Sequence, residues 1–294
     1  MTNVPYSQVD PQFEFYLRDN PGLSYADDSS PWLTRRVTRT FEKWLGRERL
    51  EAHYHALKNN HTSSQDFFRQ ALEISGVDLE CDMSPLSKIP QNHPVIFIAN
   101  HPFGVIDGLI LCNIALRLND NFRVVINSLL CQDRDLASHF LPIDFSGSKE
   151  ASRRNIRAKQ LANEALSAGI PLILFPSGMV STANRFGFGK VHDAPWTTFV
   201  AKLVGTQKPV VVPVFFHGRN SRPFHIASHI AEPLRMAMLL RESLQRFNTR
   251  IKLTIGDPIL PADYEHIASR QKLTEHLYGQ VQALARPATD HPCH

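Results

Sequence analysis

Residues Pro94–Gly108 read PVIFIANHPFGVIDG. The run Val95–Ala99 is wholly apolar and short, which fits a strand buried on both faces better than an amphipathic helix. It ends at Asn100 and His101, a Pro102-Phe103-Gly104 turn follows, and Asp107 precedes an apolar helix predicted over 108–118. A strand end leading through a short loop into a helix is where open α/β sheets place their chemistry. Gly104 and Gly108 permit tight backbone paths there. A histidine and an aspartate on one such loop can hydrogen-bond. The carboxylate then fixes the imidazole tautomer and stabilises its protonated form, and the other ring nitrogen is left to take a proton from a hydroxyl. The same two residues also fit a helix N-cap at Asp107 and a hydrogen-bonded turn histidine at His101, so the pair alone leaves both roles open.

Outward from this stretch the texture repeats. Short apolar runs at 77–81, 123–127, 172–175, 210–216 and 252–255 read as strands, and they alternate with helical stretches at 149–167, 196–204 and 236–247. That alternation predicts an α/β fold, a mostly parallel sheet flanked by helices. Before it, Leu33, Val37, Phe41, Trp44 and Leu45 recur at three- and four-residue steps and predict an amphipathic helix from Pro31 to about Leu57. A second helix is expected over 64–75, stopped by Gly76. The expected organisation is an irregular arm over 1–30, an N-terminal helical segment over 31–76, and an α/β domain over 77–294.

Composition narrows the function. The 294 residues are 43% hydrophobic and 20% charged, as a folded globular chain requires. Four scattered cysteines (Cys81, Cys112, Cys131, Cys293) form neither a disulfide framework nor a zinc or redox pair, so no metal is expected. No secretory signal and no run of about 18 apolar residues is visible, which places the chain in the cytoplasm without a spanning helix. Basic residues cluster at Arg35, Arg36, Arg39 and Lys43 and at Arg153, Arg154, Arg157 and Lys159, without the interleaved aromatics of a nucleic-acid platform. The net charge of +4 suits contact with anionic lipid or an acidic carrier.

The segment Asn100-His101-Pro102-Phe103-Gly104-Val105-Ile106-Asp107-Gly108 resembles the first motif of the glycerolipid acyltransferase (PlsC-like) superfamily. Five residues separate His101 from Asp107 instead of the usual four, and the resulting NHPxGxxDG form is similar to the hemolysin-like branch that includes lyso-ornithine lipid acyltransferases. Phe175-Pro176-Ser177-Gly178-Met179-Val180-Ser181 resembles the FPEGTR block but lacks its Glu, Thr and Arg. The segment 148–155 resembles the second block, with Arg153 or Arg154 at its basic position, and Val211-Val212-Pro213-Val214 resembles the fourth. Asp193-Ala194-Pro195-Trp196 and Gly218-Arg219-Asn220-Ser221 again look like the hemolysin-like branch.

The resemblance implies transfer of an acyl group from acyl carrier protein or CoA to the hydroxyl of a lysolipid, lyso-ornithine lipid or 1-acylglycerol-3-phosphate, by a protein peripheral to the cytoplasmic face of the membrane. A thioester carbonyl is already activated, so no cofactor is needed. His101 is the implied base and Asp107 its orienting partner. Asn100, Gly104, Arg153, Arg154, Ser177, Gly178 and Arg219 are the implied substrate contacts, with backbone N–H groups near Gly104 and Gly178 as oxyanion donors. Trp32, Phe41 and Trp44 on the first helix fit either a membrane interface or packing. A thioester hydrolase using the same dyad on water, and a non-catalytic lipid- or carrier-binding protein, are the alternatives.

Overall fold

The computed structural model describes residues 9–18, 47–60 and 63–285. Helices α1 (Arg47–Asn60) and α2 (Ser64–Ile74) precede strand β1 (Asp78–Glu80). Then follow β2 (Val95–Ala99), α3 (Val105–Ala115), β3 (Arg123–Asn127), β4 (Phe140–Ile143), α4 (Lys149–Ser167), β5 (Leu172–Leu174), α5 (Phe199–Gln207) and β6 (Val210–Phe216). Helices α6 (Arg222–Ile230) and α7 (Glu232–Gln245), strand β7 (Arg250–Ile255), a single turn α8 (Pro261–Tyr264) and α9 (Arg270–Ala283) follow in the described residues.

The strands form one seven-stranded sheet in the order β1-β7-β6-β2-β5-β3-β4. Every neighbouring pair is parallel except β6 with β7. Strand β2 sits at its centre, and Ile96, Phe97, Ile98 and Ala99 are all fully buried. That is the α/β fold, mostly parallel and flanked by helices, that the apolar runs predict. From β2 the chain moves to β3 on one side, returns through β4 and α4 to β5, and then crosses β2 to β6 on the other side. The carboxyl ends of β2, β5 and β6 therefore border the point where the connections diverge, the position at which such sheets bind ligands.

Local chemistry explains the elements. Helix α3 buries Ile106, Ile110, Leu111 and Ile114 and is apolar all round, as a helix enclosed by its neighbours must be. Helix α4 lays a small-residue stripe, Ala151, Ala158, Ala162 and Ala165, on the sheet, and the Ser148 hydroxyl caps it by accepting from the Ala151 N–H at 3.0 Å. Pro213 lies inside β6, but β7 pairs only with Val214–Phe216, so its missing N–H falls between that ladder and the separate Val211–Ile259 bridge.

Several boundaries differ from expectation. Helix α3 starts at Val105, three residues early, because the Asp107 carboxylate accepts from the N-cap N–H of Gly104. Helix α5 starts at Phe199 instead of 196, since the Thr197 N–H is drawn to the Pro176 carbonyl at 3.1 Å. Strand β4 and helices α6, α8 and α9 lie outside the expected elements. The part of the first predicted helix that carries Trp32, Arg35, Arg36, Arg39, Phe41, Lys43 and Trp44 lies outside the described residues.

Candidate active site

The carboxyl end of β2 is fixed first. The Asn100 side chain donates to the Phe216 carbonyl at 3.0 Å and accepts from the Phe216 N–H at 2.7 Å, joining the ends of β2 and β6. Next, His101 donates its backbone N–H toward Ser181 Oγ and Asp193 Oδ1, both at 3.3 Å, and its carbonyl accepts from the Ser181 N–H at 2.8 Å. The Ser181 hydroxyl bonds to Asp193, whose other oxygen accepts from Trp196 Nε1 at 2.9 Å. The backbone of His101 is thus clamped from two further loops.

The imidazole stacks on Phe175, with ring centres 4.0 Å apart and planes 24° apart. Its Nδ1 lies 3.0 Å from Asp107 Oδ2, which also accepts from the Phe103 and Gly104 N–H groups at 2.8 and 3.0 Å. The five-residue spacer wraps around that oxygen. Gly104 makes the wrap possible with φ +79°, where a Cβ would also press on Leu239 and Val180 at 3.3 and 3.4 Å. Gly218 is needed for a second reason: a Cβ there would meet Phe103 Cζ at 2.6 Å. With Oδ2 as acceptor, Nδ1 carries the hydrogen and Nε2 keeps its lone pair. Asp107 is completely buried, which pushes its pKa above the ordinary carboxylate value, while His101 and the two amides pull the other way.

His101 faces a cavity of about 860 Å³. Gly104, Val105 and Gly178 form part of its wall, and Leu57, Phe68, Leu109, Val124 and Phe140 line its depth with hydrocarbon. Such a space suits an alkyl chain, with few polar groups to fix orientation. Lys159, Lys202 and Arg270, from three helices, lie on its boundary, and the Lys159 ammonium sits 5.4 Å from the Phe199 ring centre. Arg235 also lines it and is only 8% exposed.

The structure brings together His101, Asp107, Gly104 and Gly178. It gives the other expected contacts different duties. Both amide atoms of Asn100 hold the backbone of Phe216. Arg154 pairs with Asp144 at 3.3 Å and donates to the Tyr16 hydroxyl at 2.7 Å, pinning residues 9–18 to α4, while Arg153 is exposed; neither lines the cavity. The Ser177 hydroxyl donates to the Met179 carbonyl at 2.8 Å, and the Gly178 N–H donates to the Phe175 carbonyl at 2.9 Å. Gly178 and Gly104 therefore have their amides occupied and do not serve as free oxyanion donors. Arg219 donates to the Gly189 and Gly187 carbonyls at 3.0 and 2.5 Å, bracing a hairpin that starts at Ser181 and exposes Phe186 and Phe188. Sequence reasoning missed Phe175 as a stacking surface, Ser181 and Asp193 as a backbone clamp, and Arg235. Among the described residues no three metal-ligating side chains converge.

Comparison with known proteins adds to this geometry. The sequence profile of a family described as acyltransferase matches residues 26–275. The lyso-glycine lipid O-acyltransferase of Phocaeicola vulgatus is 32% identical over 202 residues, 66% of this chain and 68% of that one. The lyso-glycine lipid O-acyltransferase of Bacteroides thetaiotaomicron is 26% identical over 202 residues, 66% of this chain and 70% of that one. The crystal structure of the 1-acyl-sn-glycerophosphate (LPA) acyltransferase PlsC from Thermotoga maritima superimposes with a TM-score of 0.50 at 18% identity, covering 85% of this chain and 88% of that one, and so shares the fold.

Proposed function

The chain belongs to the acyltransferase family, and from that premise we propose that it moves a fatty acyl group from a thioester carrier to the hydroxyl of a lysolipid. The observation that carries the reading is the 3.0 Å contact between His101 Nδ1 and Asp107, with His101 on the wall of an apolar cavity. His101 Nε2 takes the acceptor hydroxyl proton as the oxygen attacks the thioester carbonyl. The negative Asp107 stabilises the imidazolium that forms. That attack forms the new C–O bond and a tetrahedral oxyanion; its collapse restores the carbonyl and breaks the C–S bond, and the imidazolium gives its proton to the departing thiolate. In the first turn of α3 the Asp107 and Gly108 N–H groups donate to the Gly104 carbonyl, which leaves those of Val105 and Ile106, both on the cavity wall, as the oxyanion donors of this reading.

The donor is acyl carrier protein or CoA, and both deliver the acyl group on an arm bearing phosphate. Lys159, Lys202 and Arg270 offer that phosphate a basic boundary. For the acceptor, the names of both curated relatives favour an amino-acid lysolipid over a glycerophosphate. The protein works on the cytoplasmic face of the membrane, where thioester carriers are found. No helix among the described residues is long and apolar enough to cross a bilayer; the membrane contact of this reading is peripheral. Its support is the hairpin tip, where Phe186 and Phe188 are 60% and 52% exposed beside Arg185 and Arg222.

The test is product analysis with a labelled acyl thioester, with and without hydroxylated lysolipid. Label is expected in a new ester only when the acceptor is present. Free fatty acid released at the same rate without acceptor would make the protein a hydrolase.

A further inference from the structure

Arg235 stands on α7, on the cavity wall, and is only 8% exposed. One edge, Nη2, donates to the Val180 carbonyl at 3.1 Å, while Nε is buried without any partner. No carboxylate among the described residues lies within ion-pair distance of it. Glu232, one turn earlier on α7, acts on it only through space and is itself exposed. A buried cation with no counter-ion is costly, and it is retained where something else supplies the negative charge.

Its position is specific. Val180, whose carbonyl Arg235 holds, and Leu239, one turn further along α7, are the two side chains that a Cβ at Gly104 would meet. Gly104 in turn donates to the Asp107 carboxylate. The guanidinium therefore lies on the wall backed against the loop that carries the dyad. The loop Phe175–Ser181 itself contains no charged side chain.

We infer that Arg235 binds a single carboxylate on the acceptor lysolipid, of the kind an N-acylated amino acid presents, and so positions the acceptor hydroxyl for His101. One guanidinium balances the single charge of one carboxylate. A phosphate monoester carries more charge than Arg235 can balance, and Glu232 on the same wall opposes the excess. The inference rests on the acyltransferase reading for its role in turnover, but the binding step can be measured without it.

N-palmitoylglycine, which has the carboxylate and no hydroxyl to acylate, and its methyl ester are titrated by calorimetry into the full chain in nonionic micelles. The wild type should bind the acid at least ~10-fold more tightly than the ester. Arg235→Met should bring that ratio to about one, and Arg235→Lys, which keeps the charge and guards against a folding defect, should retain part of it. A wild-type ratio near one, or an unchanged ratio in Arg235→Met, overturns the inference. In a parallel turnover arm, wild type should prefer N-(3-hydroxypalmitoyl)glycine to lysophosphatidic acid, and a preference for the phosphate overturns the carboxylate assignment. Discrimination in binding with no acyl transfer to either lipid would leave Arg235 as assigned and refute the catalytic reading.

Discussion

Asp107 Oδ2 accepts from three donors, the His101 ring and two backbone amides, while Oδ1 is buried without a partner. An amide oxygen can take all three of those donors, so Asp107→Asn keeps the ring in place and removes the charge, with its NH2 in the unpartnered place of Oδ1. Turnover should fall about 10²-fold or more, since the imidazolium loses its stabilising carboxylate. Stability should move differently. Burial raises the folded pKa of Asp107, so the folded state holds its proton more tightly than the unfolded state. Wild-type stability therefore decreases as pH rises from the unfolded carboxylate value through the raised folded one, and stays lower above it. Asp107→Asn should melt no lower than wild type at neutral pH, and a drop of many degrees in a thermal scan would contradict this. At this scale the dyad was legible because both residues sit on one loop whose geometry six residues determine. Arg235 was not, because 55 positions separate it from the Val180 carbonyl it holds and nothing along the sequence signals that meeting.

Elements were legible where one local rule dominates. Strand β2 and helix α4 follow from an apolar run and from an amphipathic period, and their observed limits match the reading. Strand β4 escaped because it is a four-residue edge strand containing Pro142, which the edge tolerates and a sequence rule discounts. Helix α6 escaped although Ser221 caps it and Pro223 occupies its first turn, both ordinary start signals. The hairpin braced by Arg219 has consequences of its own. Arg222 lies 3.8 Å over the Phe188 ring, so the tip is held outward with cations beside exposed aromatics. Replacing Phe186 and Phe188 together by serine should weaken binding to phosphatidylglycerol-containing vesicles ~10-fold in co-sedimentation. Equal sedimentation of variant and wild type would remove the hairpin from the membrane contact.

Across the whole molecule, α2 is joined to the sheet edge through a buried imidazole. His139 stacks on Phe122 at 4.4 Å, donates from Nδ1 to the Phe122 carbonyl at 3.1 Å, and meets the Ser64 hydroxyl at Nε2 at 2.8 Å. Burial lowers its pKa to about 4. The unfolded chain then binds a proton that the folded chain refuses, so stability declines as pH falls from the ordinary histidine range toward 4. His139→Gln should flatten that decline by about 3 kcal/mol in urea unfolding followed against pH, and an unchanged slope would assign the acid sensitivity elsewhere.

Acyl transfer at this site requires His101 as the base. Single-turnover acyl transfer from a thioester to a hydroxylated lysolipid, compared between wild type and His101→Ala, tests it most directly. A loss of about 10³-fold or more in the ester-forming rate, with the variant still folded, is the predicted result. An ester-forming rate within a few-fold of wild type would contradict it.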